Sequence, residues 1–337
     1  RGEDVGSHNV WYFEDTEAPE VDFALTVTPD GRVLHLSDAA LKIESIYAQL
    51  PDYRRLTRCR FACKEPRPGS ILDVQYTVTR KRESLLEPFY TEEAFRDSAP
   101  ILKKEVIVLC PSDNIPNWEL NSHATKDDLV KAEVQTQGSC TRLSWALTAP
   151  QSGIIEEPMM PPNEYFVPRL VIAAKADWKD IVSAYAKALD TLSPLSEPLR
   201  TKAVELAGKG GAGAIYDFVV RSLRTIPVPQ LHFRSVPHTA DQTATRGMAN
   251  ELDKDFLCYQ MLRAAGIECS FALVRVRLRG PISKRAPSLR AFNRSAVYLT
   301  KEKRFSNAAS DLLMFGDLDG NLQDSPALLV GSDTDSL

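Results

Sequence analysis

Apolar and polar residues alternate along stretches of the first half of the chain, and the apolar spacing becomes helical in the second. The run VDFALTVTPDGRVLHL at 21–36 predicts a β-hairpin. Two β-rich runs flank Pro-Asp-Gly there, and Gly31 supplies the positive φ that such a turn needs. Residues 69–81 and 101–111 predict further strands, and 130–149 predicts a second hairpin broken near Gly138. Short strands at this spacing imply an antiparallel sandwich. The stretch EEPMMPPNEYFVP at 156–168 then carries four prolines in thirteen residues. Proline fixes φ and removes a ladder donor, so this segment reads as a linker or an edge. The expected organisation is a β-sandwich domain at 1–165, with the linker at 156–168, and a second domain at 170–337.

Helical spacing begins after the linker. Trp178, Ile181, Val182, Tyr185 and Leu189 mark one face of a helix over 176–192. Residues 197–208 predict a second helix ending at glycine, and 214–226 a third, stopped by Pro227 and Pro229. A fourth, amphipathic helix over about 251–265 ends at Gly266 and runs into the apolar strand IECSFALVRVRL, followed by the strand SAVYLT. Helices followed by strands make an α+β domain.

Composition narrows the function classes. A chain of 337 residues with 43% hydrophobic and 26% charged residues can build two ordinary domains. A net charge of -4 argues against nucleic acid as a partner. No apolar run approaches the roughly 20 residues of a membrane helix, and no signal peptide is visible. The six cysteines form no CxxC pair and lie near no histidine at zinc spacing, so no metal or cofactor is expected. They read as buried free thiols, with Cys59 and Cys63 on one face if CRFAC is a strand.

Three segments carry a family resemblance. DKDFLCYQMLRAAGIECSFALV resembles the helix–strand unit of the transglutaminase-like (papain-type) superfamily, IYDFVVRSLR its lead-in helix, and AFNRSAVYL its FNHAVVYV-like strand. The β-rich half, with LSWALTAP and EEPMMPP, resembles an uncharacterised domain that precedes such domains in bacterial exported proteins. The resemblance implies a multidomain protein: an all-β antiparallel sandwich followed by an α+β transglutaminase-like domain, working outside the cytoplasm. It also locates the catalytic positions. The nucleophilic cysteine falls at Glu251, twelve residues before Arg263; the histidine falls at Arg294, after Phe292-Asn293; the aspartate falls at Asn307. Asn307 is equally at home in a turn.

None of the three has the chemistry required. Thiol attack on a carboxamide needs a thiolate and an imidazole to take its proton, and a guanidinium stays protonated at any working pH. The expectation is therefore a pseudoenzyme that binds or scaffolds a protein or glycan, with a Glu251–Arg294 ion pair filling the former catalytic cleft. The rival is an active enzyme using Cys258 as nucleophile with His232 or His238 as base, although a thiol between Leu257 and Tyr259 reads as buried and inert. A metal-assisted reading from Glu251, Asp253 and Asp255 is weaker, because Asp253 and Asp255 point to different helix faces. GDLDGNLQDSP lacks full calcium-loop spacing and reads as turns. GKGGAGA lacks a P-loop's Gly-Lys-Ser/Thr ending and reads as an interhelical linker. Trp118, Tyr165 and Phe166 are candidates for a binding surface. GSDTDSL reads as a solvated end, so further chain is expected beyond Leu337.

Overall fold

A computed structural model describes residues 6–81, 84–121, 129–155, 157–192, 195–232, 234–309 and 311–330. The chain divides into two compact units, Arg1–Ser84 and Leu85–Leu337. The protein is multidomain, rich in small antiparallel sheets, with four α-helices among the described residues.

The first unit is all β. One sheet joins β1 (Ser7–Phe13), β5 (Leu56–Ala62) and β4 (Lys42–Ser45) in the order β1-β5-β4. The other joins β3 (Val33–His35), β2 (Glu17–Val27) and β6 (Ile71–Arg80) in the order β3-β2-β6. The hairpin read at 21–36 is β2–β3, with Leu25 opposite His35 and Gly31 at φ +86°. Val10, Tyr12, Ala24, Phe61 and the thiols of Cys59 and Cys63 form one buried cluster. Burial raises both thiol pKa values, as expected of thiols held as small hydrophobes.

The second unit begins with more β structure. β7 (Tyr90–Ala94) and β9 (Asn117–Asn121) flank β12 (Arg169–Ala173). β8 (Glu105–Pro111) and β10 (Val130–Gln137) flank β11 (Cys140–Leu147), and Gly138 takes φ +60° in the β10–β11 turn. The proline stretch at 156–168 therefore lies inside this unit, because the strand directly after it pairs back onto β7 and β9. Ion pairs fix that arrangement. Glu92 of β7 accepts from Arg169 of β12 at 2.9 Å and from both terminal nitrogens of Arg275 at 2.9 and 3.1 Å. These links join strands read as N-terminal to the end of the C-terminal β-sheet.

The helices follow. α1 (Trp178–Thr191) buries Ile181, Tyr185 and Leu189, the face read from the sequence. α2 (Glu197–Ser222) spans two predicted helices but is broken at Gly210 and Gly211, where φ is -163° and +62°. The GKGGAGA run thus provides the kink. α3 (Ala240–Arg246) opens on a Thr239–Gln242 capping box. α4 (Glu251–Ala264) is capped by Asn250, whose side chain accepts from the Asp253 N–H at 3.0 Å.

The expected amphipathic character of α4 is corrected here: every residue from Leu252 to Leu262 is buried. Protein surrounds the helix, so its polar residues must find internal partners. A sheet ordered β17-β16-β15-β18 packs beside it, built from β15 (Cys269–Val274), β16 (Arg294–Leu299), β17 (Arg304–Ser306) and β18 (Ala327–Val330). The short strands β13 (Arg224–Thr225) and β14 (Met248–Ala249) pair in parallel and set the entry to α4.

Candidate functional site

The first residue of α4, the first residue of β16 and the residue after β17 converge. Glu251 Oε2 accepts from Arg294 Nη1 at 2.5 Å, while Glu251 Oε1 accepts from the Ser295 N–H at 3.2 Å and from Asn307 Nδ2 at 3.1 Å. Arg294 also reaches Asp319 at 3.4 Å. The three positions read from the sequence are therefore neighbours, and the Glu251–Arg294 pair is made. A carboxylate also suits the positive end of the α4 dipole.

One turn below, Asp255 is wholly buried. It accepts from Ser295 Oγ at 2.7 Å, from the Ala308 N–H at 2.7 Å and from Asn307 Nδ2 at 3.0 Å. Asn307, only 1% exposed, is also within 2.8 Å of the Ser295 carbonyl. One amide nitrogen with two hydrogens thus faces three acceptors. Burial raises the pKa values of Glu251 and Asp255. For Glu251 the Arg294 charge opposes the rise and the Asp255 charge adds to it. For Asp255 the Ala308 and Ser295 hydrogen bonds oppose it. The floor holds two carboxylates and one guanidinium, and neutral donors complete the hydrogen bonds of both carboxylates.

The ion pair does not fill the cleft. An open cavity of about 890 Å³ lies over it, lined by Glu251, Arg294 and Asn307 together with Thr225, Asp311 and Asp319. Buried beside it, the Lys254 ammonium is held by Asp311 at 2.9 Å and Thr225 at 2.8 Å.

The residues of the active-enzyme alternative are dispersed. Cys258 is 2% exposed within the apolar core around α4, and burial pushes its thiol pKa well above the ordinary value. His232 lines the cleft, and burial lowers its pKa. His238 binds Asp253 through Nδ1 at 2.7 Å, with its backbone N–H on the same carboxylate at 2.8 Å. Asp253 and Asp255 thus serve different partners, and among the described residues no group of three or more His, Cys, Asp or Glu is placed to hold a metal ion.

The aromatic candidates lie elsewhere. Trp118 packs edge-on against Trp145 at 5.1 Å, Tyr165 donates to the Arg277 carbonyl at 2.7 Å, and neither they nor Phe166 line the cleft. GDLDGNLQDSP folds as turns, with the Asn321 N–H on Asp319 at 2.8 Å. Sequence reasoning missed Gln230, which lines the cleft while only 6% exposed, and nothing in its local pattern distinguishes it.

Residues 1–152 match the model of a domain family of unknown function with a solved structure, DUF3857. No curated protein matches the chain. A crystal structure described as a "putative protease" from Parabacteroides distasonis matches 92% of the chain at TM-score 0.76 and 18% identity. The chain spans 64% of that protein's length, and at this identity the likeness is one of fold. A second, described as a "putative cysteine protease" from Cytophaga hutchinsonii, covers 73% of the chain and 94% of its own length at 12% identity; its TM-score of 0.25 carries no argument. Among the described residues no helix is long and apolar enough to cross a membrane.

Proposed function

We propose that this chain is a transglutaminase-like protein that binds an extended protein or glycan chain without cleaving it, in bacteria and outside the cytoplasm. In this reading 1–165 is the sandwich region and 170–337 the transglutaminase-like region, a division by family that the DUF3857 match to 1–152 supports and that β12 bridges by pairing with β7 and β9. One observation carries the functional reading: the start of α4, beneath an open cleft, presents a carboxylate already engaged by a guanidinium and an amide. Arg294 has no proton-accepting form at working pH, and Glu251 is a far weaker nucleophile toward an amide than a thiolate. The cleft stays open because the pair lies along its floor.

The test is a graft. Glu251→Cys, Arg294→His and Asn307→Asp together place a thiol at a helix N-terminus beside an imidazole, where its pKa falls. Iodoacetamide at pH 6 is expected to modify Cys introduced at 251 faster than the same residue in the denatured chain. Equal rates would show that these positions do not work together as a site. Wild-type protein that hydrolyses a peptide amide would remove the non-catalytic reading.

A further inference from the structure

We infer that the cleft over Glu251 takes an extended peptide with aliphatic side chains, and that Gln230 reads its amide group. This rests on the reading of the cleft as a binding site and narrows the ligand to one class. Gln230 stands on the single 3-10 turn Gln230–His232, and neither its amide nitrogen nor its amide oxygen has a hydrogen-bond partner. A buried polar group left unpaired costs about 1–3 kcal/mol, so Gln230 gains from any ligand that supplies both partners. A peptide group does so: its N–H donates to Oε1 while its C=O accepts from Nε2. Both atoms are buried on a residue that lines the cleft, and the broad terminal torsion of glutamine lets the amide turn at little cost. On the same floor Asn307 Oδ1 is a second buried acceptor without a partner.

The walls select the side chains. Ile226, Val228, Leu231, Val276, Leu278 and Leu312 line the cleft, with Leu312 93% and Leu278 47% exposed. Among the described lining residues none is Phe, Tyr or Trp, while six are aliphatic. Charge selects further. The lining carries Glu251, Asp311 and Asp319, while Arg294 is already shared between Glu251 and Asp319. The peptide is therefore neutral or cationic in its central residues.

NMR titration of the whole chain tests this with capped hexapeptides of Leu, Val, Ile and Ala in varied order, against a linear tetramer of N-acetylglucosamine. The peptides are expected to bind and the tetramer not to. Gln230→Met, which keeps the length and removes the amide, is expected to weaken peptide binding about tenfold. Leu312→Asp, at an exposed position, weakens it through the rim. An ester replacing the central peptide bond lacks the N–H, so it binds less tightly to the wild type and loses less on Gln230→Met. Binding by the tetramer alone, by no peptide, or equally by wild type and Gln230→Met would overturn the inference. Should Gln230→Met fail to fold, equal affinity of wild type for the amide and ester peptides would overturn it instead. Mass spectrometry of the recovered peptides reads the parent proposal separately: intact peptides leave non-cleavage standing whatever the affinities, and cleaved ones remove it.

Discussion

The second unit holds two buried ionic clusters with opposite balances of charge. Around Glu92, a single carboxylate accepts from Arg169 and Arg275, with Arg279 at 3.9 Å. The surplus positive charge is met by backbone carbonyls: Arg275 donates to Gly280 at 2.9 Å and Ala291 at 2.8 Å, and Arg169 to Pro281 at 2.8 Å. Burial raises the Glu92 pKa, yet the bond and charge of Arg275 outweigh it and the net shift is downward. Around Asn307, Glu251 accepts from a guanidinium and Asp255 from the Ser295 hydroxyl and the Ala308 N–H, one amide serves both, and both pKa values go up. Carbonyls take up guanidinium hydrogens in the first cluster, whereas in the second a single Asn307 amide nitrogen serves three acceptors. The Glu92 cluster is a fastening between strands; the Asn307 cluster lies beneath an open cleft, with Asn307 Oδ1 there without a partner.

The largest test of that contrast is Arg275→Ala. It leaves Glu92 with Arg169 and removes donors to the carbonyls of Gly280, Ala291 and Arg279, so unfolding free energy should fall by about 3–5 kcal/mol. A loss under about 1 kcal/mol in urea titration would show that Glu92 does not fasten β7 to the later sheet. Asn307→Ala takes donors from Glu251, Asp255 and the Ser295 carbonyl together, with an expected loss of about 2 kcal/mol. Arg294→Ala is expected to cost about 1 kcal/mol at neutral pH, since Arg294 is partly exposed and Glu251 keeps two other donors. That cost should shrink as pH falls through the elevated Glu251 pKa, since protonated Glu251 needs no cation.

The smallest effect is a slope. Glu251 has a raised pKa in the folded state, so the folded chain binds more protons there than the unfolded chain. Its contribution to stability is full below the ordinary carboxylate range and is lost as pH rises through the elevated value. Glu251→Gln should therefore gain on the wild type as pH rises through that window, measured as the difference between two stability–pH curves. A gain on acidification instead would mean that the pair with Arg294 outweighs burial.

Much of this was legible locally. Pro-Asp-Gly and Gly31 announce the β2–β3 hairpin, because the turn demands a positive φ that glycine supplies. Glu251 and Arg294 could be placed together because two recognisable segments each carry one of them. The fastening at Glu92 was not legible: its partners lie 77 and 183 residues away, and no periodicity reports such a pairing. For that reason the proline stretch looked like a break between bodies, while the strand after it is paired back into the second unit. The burial of α4 was equally hidden, since Asp253, Lys254 and Asp255 find their partners His238, Thr225 and Ser295 in other segments of the chain.

The claim that the cleft is inert can be put to a single assay. Wild-type protein is incubated with a glutamine-containing peptide and hydroxylamine: acylation of a thiol by the glutamine carboxamide would release ammonia, and hydroxylamine would then capture the thioester as a hydroxamate and free the thiol. With a guanidinium-bound carboxylate at the head of α4 and Cys258 sealed in the core, hydroxamate should stay at the level of a protein-free blank. Hydroxamate above the blank that disappears on Cys258→Ala would contradict the account.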